Sequence, residues 1–308
     1  MPDFKKFTIS LALALMTIRA SAASIAYIES ANQSGAVFGT VDVSTGAFQQ
    51  IGTGLSDQGQ GLVPQANGSL LTLGFDGTLE SINTSTGIET PIGATGLGDC
   101  SIPGVSACGP NSALAFGSLN GTLYATDFAG NLYSVNPITG HASKIGVTGL
   151  IPVTFVPGLP AANGTWTGVD ESLFSAGGKL YANEDFVTIN PSSPNPVVAV
   201  ILPDALYQID PVTGLATQLA GTLTPMNAFV NLGGIEYGFD GNLGEIVSLN
   251  LTNGNTAVVS SYDPAAGLLS GAAPTPEPAS LFLLGAGLLG LGILGRRTGS
   301  RQGPKTGA

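Results

Sequence analysis

Two acidic pairs, Asp170-Glu171 and Glu184-Asp185, are the residues of this 308-residue chain best suited to chemistry. Two carboxyl groups about 5–10 Å apart across a glycosidic bond can act as acid and as base or nucleophile, so the pairs point to glycoside hydrolysis. The competing reading makes all four solvated loop acids. His141 is the sole histidine, so any Ser-His-Asp or Cys-His triad would have to use it. It directly follows a turn glycine, at a position held elsewhere by Ala47, Ile88, Leu215 and Asn255, and nothing singles it out. One histidine also excludes a histidine-based zinc site.

Cys100 and Cys108, the only cysteines, are expected to close a nine-residue disulfide loop in an oxidising compartment. The chain-entropy model makes such a loop worth roughly 2–3 kcal/mol. A metal site is the alternative, with Asp99 as the only adjacent ligand. Asp76, Asp127 and Asp240 sit in glycine-rich turns; they are read as turn formers, with Ca²⁺ binding as the alternative. No other cofactor is called for. Trp166, the only tryptophan, is placed in a loop over residues 160–168, either stacking on a sugar or capping the core.

Charge narrows the partners. Seven of the nine basic residues lie near the chain ends, leaving residues 23–275 with Lys144 and Lys179 against 18 acids, a net charge of −16. Phosphate backbones are held by Lys and Arg, so nucleic acid is excluded as a partner. Gly285-Ala286-Gly287-Leu288-Leu289-Gly290 spells a dinucleotide fingerprint, but no strand precedes it and no acid follows. Its glycines read as those of a small-residue membrane helix.

The elements that would position any site come from a repeat. Five segments share an apolar residue, Asp or Asn, two variable residues, Thr or Asn, and Gly. They begin at Val41, Ile82, Val135, Ile209 and Leu249, and four of them run on into Ile-Gly or a similar pair. Asp or Asn opens a turn by accepting backbone N–H groups, and Gly closes it at positive φ. Alternating strand sequence precedes each turn, clearest over residues 121–136 (GTLYATDFAGNLYSVN). Successive starts are 41, 53, 74 and 40 residues apart. A period near 40–50 with about four short strands per unit predicts a β-propeller. About five four-stranded blades fit residues 24–270, with a solenoid or irregular β-sandwich as the alternative. The unit resembles the propeller repeats of bacterial secreted proteins, a likeness that implies fold and not activity.

Both ends read as signals. Lys5 and Lys6 precede the apolar run Ile9 to Ile18, and Ala20-Ser21-Ala22 forms a small-x-small site. Cleavage after Ala22 makes residues 1–22 a signal peptide and Ala23 the first mature residue; an uncleaved anchor is the alternative. At the other end, residues 271–280 form a linker containing Pro276-Glu277-Pro278. A 15-residue apolar run, 281–295, follows, then Arg296-Arg297 in a basic tail, 296–308. As a helix the run spans about 22 Å, short against a core of roughly 30 Å unless the arginines snorkel.

This three-part layout resembles the PEP-CTERM sorting signal. The resemblance implies recognition by an exosortase, a membrane transpeptidase-like enzyme, after signal peptidase has acted. It further implies removal of the helix and delivery to the surface or extracellular matrix of Gram-negative bacteria. A plain C-terminal anchor in the inner membrane is the alternative. Together these readings predict an exported, all-β, non-catalytic binding or structural protein, with extracellular polysaccharide as a partner. The alternative function is a secreted carbohydrate-active hydrolase using Glu184, Asp185, Asp170 and Glu171.

Overall fold

The five repeat turns fold as their residues require. In the computed structural model, residues 24–32, 35–97, 113–150, 166–189, 197–200, 204–223, 226–241, 243–262 and 266–276 are described. The Asp or Asn opening each turn accepts a backbone N–H two residues on: Asp42 from Ser44 and Asn83 from Ser85 at 2.9 Å, Asn136 from Ile138 and Asp210 from Val212 at 2.8 Å, and Asn250 from Thr252 at 2.9 Å. The closing residues Gly46, Gly87, Gly140, Gly214 and Gly254 hold φ between 69° and 84°, a region a Cβ disfavours.

Each such turn joins the third strand of a sheet to its fourth. The second sheet comprises β4 (Gly59–Pro64), β5 (Leu70–Gly74), β6 (Thr78–Ile82) and β7 (Glu89–Ala94). The third runs β8 (Ala113–Leu119), β9 (Thr122–Asp127), β10 (Asn131–Val135) and β11 (Ala142–Val147). The fourth has β12 (Trp166–Ala176), β13 (Lys179–Ile189), β15 (Asp204–Ile209) and β16 (Ala216–Leu223), with β14 (Val197–Val200) added beside β13. The fifth is β17 (Ala228–Leu232), β18 (Ile235–Asp240), β19 (Glu245–Leu249) and β20 (Thr256–Ser261).

The first sheet is assembled from both ends of the chain. β1 (Ile25–Asn32), β2 (Gly35–Asp42) and β3 (Phe48–Ile51) supply three strands, and β21 (Leu268–Pro274) pairs with β1 to supply the innermost. The inner strands β21, β4, β8, β12 and β17 pack against one another in a closed circuit. The fold is therefore a five-bladed β-propeller, and β21 runs through residues 271–274, where a linker was expected. The expected signal helix and C-terminal membrane helix lie outside the described residues.

Burial follows position in the blade. β6, β10 and β19 share one alternation, with the second, third and fifth residues buried and the first and fourth half-buried. The outermost strands β7, β11 and β20 are mostly exposed. The inner strand β8 and the second strand β5 are sandwiched between neighbouring blades, so both their faces are covered. Among the described residues the core divides into five clusters, one per seam between blades. Phe38, Leu62 and Ile82 fill the seam of blades one and two, and Phe174 stacks on Phe229 at 4.1 Å between blades four and five. Each fully buried side chain of this size is worth about 1.5–3 kcal/mol.

The Ile-Gly pairs that trail the repeats have a steric reason. Gly52, Gly93 and Gly146 lie against the Thr-Gly backbone of the next blade's turn, at Thr86-Gly87, Thr139-Gly140 and Thr213-Gly214. Ser261 of blade five abuts Gly46 of blade one in the same manner. Just beyond, Thr95 gives its N–H (2.9 Å) and hydroxyl (2.7 Å) to the carbonyl of Gly77 in its own blade, while its own carbonyl takes the Ala142 N–H of the next at 2.8 Å. Thr148 repeats this with Gly130 and Ala216. Both begin a Thr-Gly-Leu step whose leucine, Leu97 or Leu150, is buried.

Candidate functional site

The acids singled out from sequence lie in strands rather than loops. The hairpin β12–β13 extends beyond its pairing with β15, which covers only Leu180 to Glu184. In the hairpin Asp170 stands opposite Asp185, and Glu171 opposite Glu184. The backbone register therefore brings the two acidic stretches alongside each other, two residues on each strand. Trp166 also belongs to β12, paired with Ile189, which corrects its expected place in a loop. Val197–Val200 of the Pro-rich stretch likewise forms β14 against β13. The residues flanking these strands, 151–165 and 190–196, are rich in Pro, Gly, Asn and Ser, and those turn signals hid the long hairpin.

The turn aspartates are spent on their turns. Asp127 is buried and accepts from Ala129 N–H (3.0 Å), Asn131 N–H (2.9 Å), Asn131 Nδ2 (2.8 Å) and the Tyr133 hydroxyl (2.8 Å). Asp76 takes the Thr78 N–H and Asp240 that of Leu243, each at 2.8 Å. Among the described residues no three His, Cys, Asp or Glu side chains are grouped to hold a metal ion. His141 is exposed, and its N–H reaches Thr139 Oγ1 at 3.3 Å. Cys100, Cys108, Ala20, Ala22, Ala23, Glu277, Pro278, Arg296 and Arg297 lie outside the described residues; Pro276 is exposed.

A set of buried carboxyl groups escaped the sequence reading. Glu29 of β1 is fully buried; its carboxylate receives the Gly59 N–H and the Thr72 hydroxyl (2.7 Å), both from blade two. Burial lifts it to about 8, against the pull of those hydrogen bonds, with Glu89 and Glu80 adding to the rise. Glu80 is raised too, first by burial and then by the charge of Glu89 and a hydrogen bond to it, with Asp76 and Asp57 contributing. Glu89 also accepts the N–H (2.6 Å) and hydroxyl (2.7 Å) of Ser56 from the loop between blades one and two. The described residues carry only two cations, Lys144 and Lys179, on β11 and β13. The carboxyl groups at the seam of blades one and two are therefore held by hydrogen bonds and not by ion pairs among the described residues. Each glutamate occupies an ordinary strand position, so no motif betrayed it.

A groove of about 630 Å³ lies between blades four and five. Asn231, Glu236, Ser248, Asn250 and Asn255 give it a polar lining, alongside the β12–β13 turn at Gly177. Glu236 is buried, receives Asn231 Nδ2 at 3.0 Å, and is lifted by burial to about 7. A smaller groove of about 370 Å³ recurs in blade two, lined by Asn67, Ser69, Asn83 and Thr86. Both lie between the turn joining the first two strands of a blade and the repeat turn, so these two sets of turns share one face of the ring. Amides, hydroxyls and a carboxyl group can exchange hydrogen bonds with a neutral polyhydroxylated ligand.

Comparison with known proteins identifies one segment. Residues 274–297 match the PEP-CTERM protein-sorting motif, beginning at the last residue of β21. No curated protein matches the chain. Solved structures similar to it include a protein of unknown function from Bacteroides thetaiotaomicron, at 14% identity and a TM-score of 0.47. The match covers 75% of this chain and 54% of that one, so the chain spans about half its length. A nidogen/laminin complex shares 11% identity at a TM-score of 0.44, over 82% and 98% of the two chains. A PQQ-bound aldose sugar dehydrogenase from Streptomyces coelicolor shares 14% at 0.41, over 74% and 88%. No activity passes across such distances. The sorting motif implies an exported chain, anchored through its C-terminal region and processed by an exosortase.

Proposed function

We propose that the mature chain is a non-catalytic propeller of the cell surface or extracellular matrix, binding polysaccharide on the face that holds the two polar grooves. The observation that carries this reading is the sorting motif at residues 274–297, joined directly to the closing strand of the ring. Export follows from the motif; the binding role is supported by the grooves, whose amide and hydroxyl linings suit sugar hydroxyls and lack a cation for phosphate. The acidic body argues the same way, since it repels polyanions. Signal peptidase acting after Ala22 and loss of the apolar run 281–295 complete the proposed maturation, with Cys100 and Cys108 joined once exported.

The deciding experiment is a glycan array probed with the secreted chain, alongside a reducing-end assay on the same polysaccharides. Binding that weakens at least about tenfold in Asn231→Ala or Asn255→Ala, without sugar release, is expected. Release abolished by Glu184→Gln or Asp185→Asn would establish the hydrolase instead. That second reading draws on the β12–β13 register, which sets Glu171 and Glu184 opposite each other.

A further inference from the structure

The two ends of the ring differ in what they expose. β1 begins beside the end of β21, Ala26 opposite Pro274, and Ile25 stands opposite Asp42, the first residue of a repeat turn. The chain thus leaves the propeller on the face that bears the repeat turns. From Thr275 only six residues lead to Leu281, where the apolar run begins. Fully extended, six residues reach about 20 Å.

The same face carries apolar tips. Ile138 and Val212 each follow the proline of a repeat turn and are 83% and 81% exposed. Pro137 and Pro211 fix φ just before them, so the tips are stiff projections. Ile88 and Leu215, directly after turn glycines, and Ile235, after Gly233-Gly234, are also exposed there. Both lysines of the propeller stand near these turns: Lys179 follows Gly177-Gly178, and Lys144 comes four residues after Gly140. The turns of the opposite face carry Asp76, Asp127 and Asp240, with Asp57 and Glu245 beside them. Asp42 and Asp210 also open turns on the tethered side. The apolar tips and both lysines nevertheless gather there, while the opposite turns carry acids without a cation among the described residues. This arrangement is suited to resting on a lipid surface.

We propose that, while the precursor is held by its C-terminal segment, the repeat-turn face of the propeller is seated on the bilayer, with Ile138 and Val212 entering the head-group region. The seating rests on that anchoring and concerns the chain before its release. A lipid surface is preferred to a protein or a second copy because the tether keeps this face within about 20 Å of the bilayer.

The full chain, reconstituted into phosphatidylethanolamine–phosphatidylglycerol vesicles with or without brominated acyl chains, tests this. Ile138→Trp, Val212→Trp and Leu243→Trp are compared with the parent, whose Trp166 supplies the background. Leu243 lies in the opposite-face turn and is 65% exposed, so all three positions accept a large side chain. The tryptophans at 138 and 212 should be quenched by bromolipid at least about twofold more than the one at 243. Retained chains with equal quenching at the three sites, or none, overturn the seating alone. A chain that carbonate washes from the vesicles overturns the anchoring as well.

Discussion

At the residue scale the buried glutamates make stability depend on pH. Glu29 is lifted to about 8 and Glu236 to about 7 in the folded chain, whereas unfolded glutamates titrate near 4.3. Across that window the folded state holds more protons at these two groups, so their contribution to stability is full below about pH 4.3 and is lost as pH rises through 7 to 8. Glu29→Gln keeps an acceptor for Gly59 and removes the titration. Thermal unfolding from pH 5 to 8 should therefore flatten in this variant, by on the order of 1–3 kcal/mol across the window. An unchanged slope would mean that Glu29 is ionised throughout. None of this was legible, because an acid at one strand position reads as solvated until its neighbours across the seam are known. Asp127, by contrast, was readable as a turn former, since its partners lie within six residues.

At the scale of elements, local chemistry was legible and long-range pairing was not. The repeat turns could be located because Asp, Asn, Thr and Gly fix their own geometry within six residues. The Ile-Gly pairs were visible as a pattern, but their reason lies in the next blade. Gly93→Ala and Gly146→Ala place a methyl group against the carbonyls of Thr139 and Thr213. Each should cost about 1–3 kcal/mol in denaturant unfolding, through overpacking of a blade seam. Thr95→Ala, which loses the hydroxyl bond to Gly77, should cost about 0.5–1.5 kcal/mol. The hairpin β12–β13 was missed since its acids, Trp166 and nearby prolines resemble a loop when no partner strand is in view. The small residues of β21 (LLSGAAP) gave no strand signal to match their central position.

For the whole molecule, closure joins the two ends of the chain. A chain ending at Thr275 keeps β21 and should unfold in one cooperative transition, read by near-ultraviolet dichroism. A chain ending at Gly267 lacks the inner strand of blade one and should show no such transition. Processing at both signals would leave the ring whole, as residues 23–275 contain every blade. The mass of the surface-released protein should accordingly lack residues 1–22 and 281–295. The position of β21 has a mechanical consequence as well. Tension applied through the C-terminus runs along a strand held between β1, β4 and β17. Its ladder to β1, from Ala31–Leu268 to Ala26–Pro274, is then loaded in shear, with the rungs sharing the force instead of unzipping in turn. A chain tethered by this end hangs from its own clasp, and the strand under load is the pin that keeps it shut.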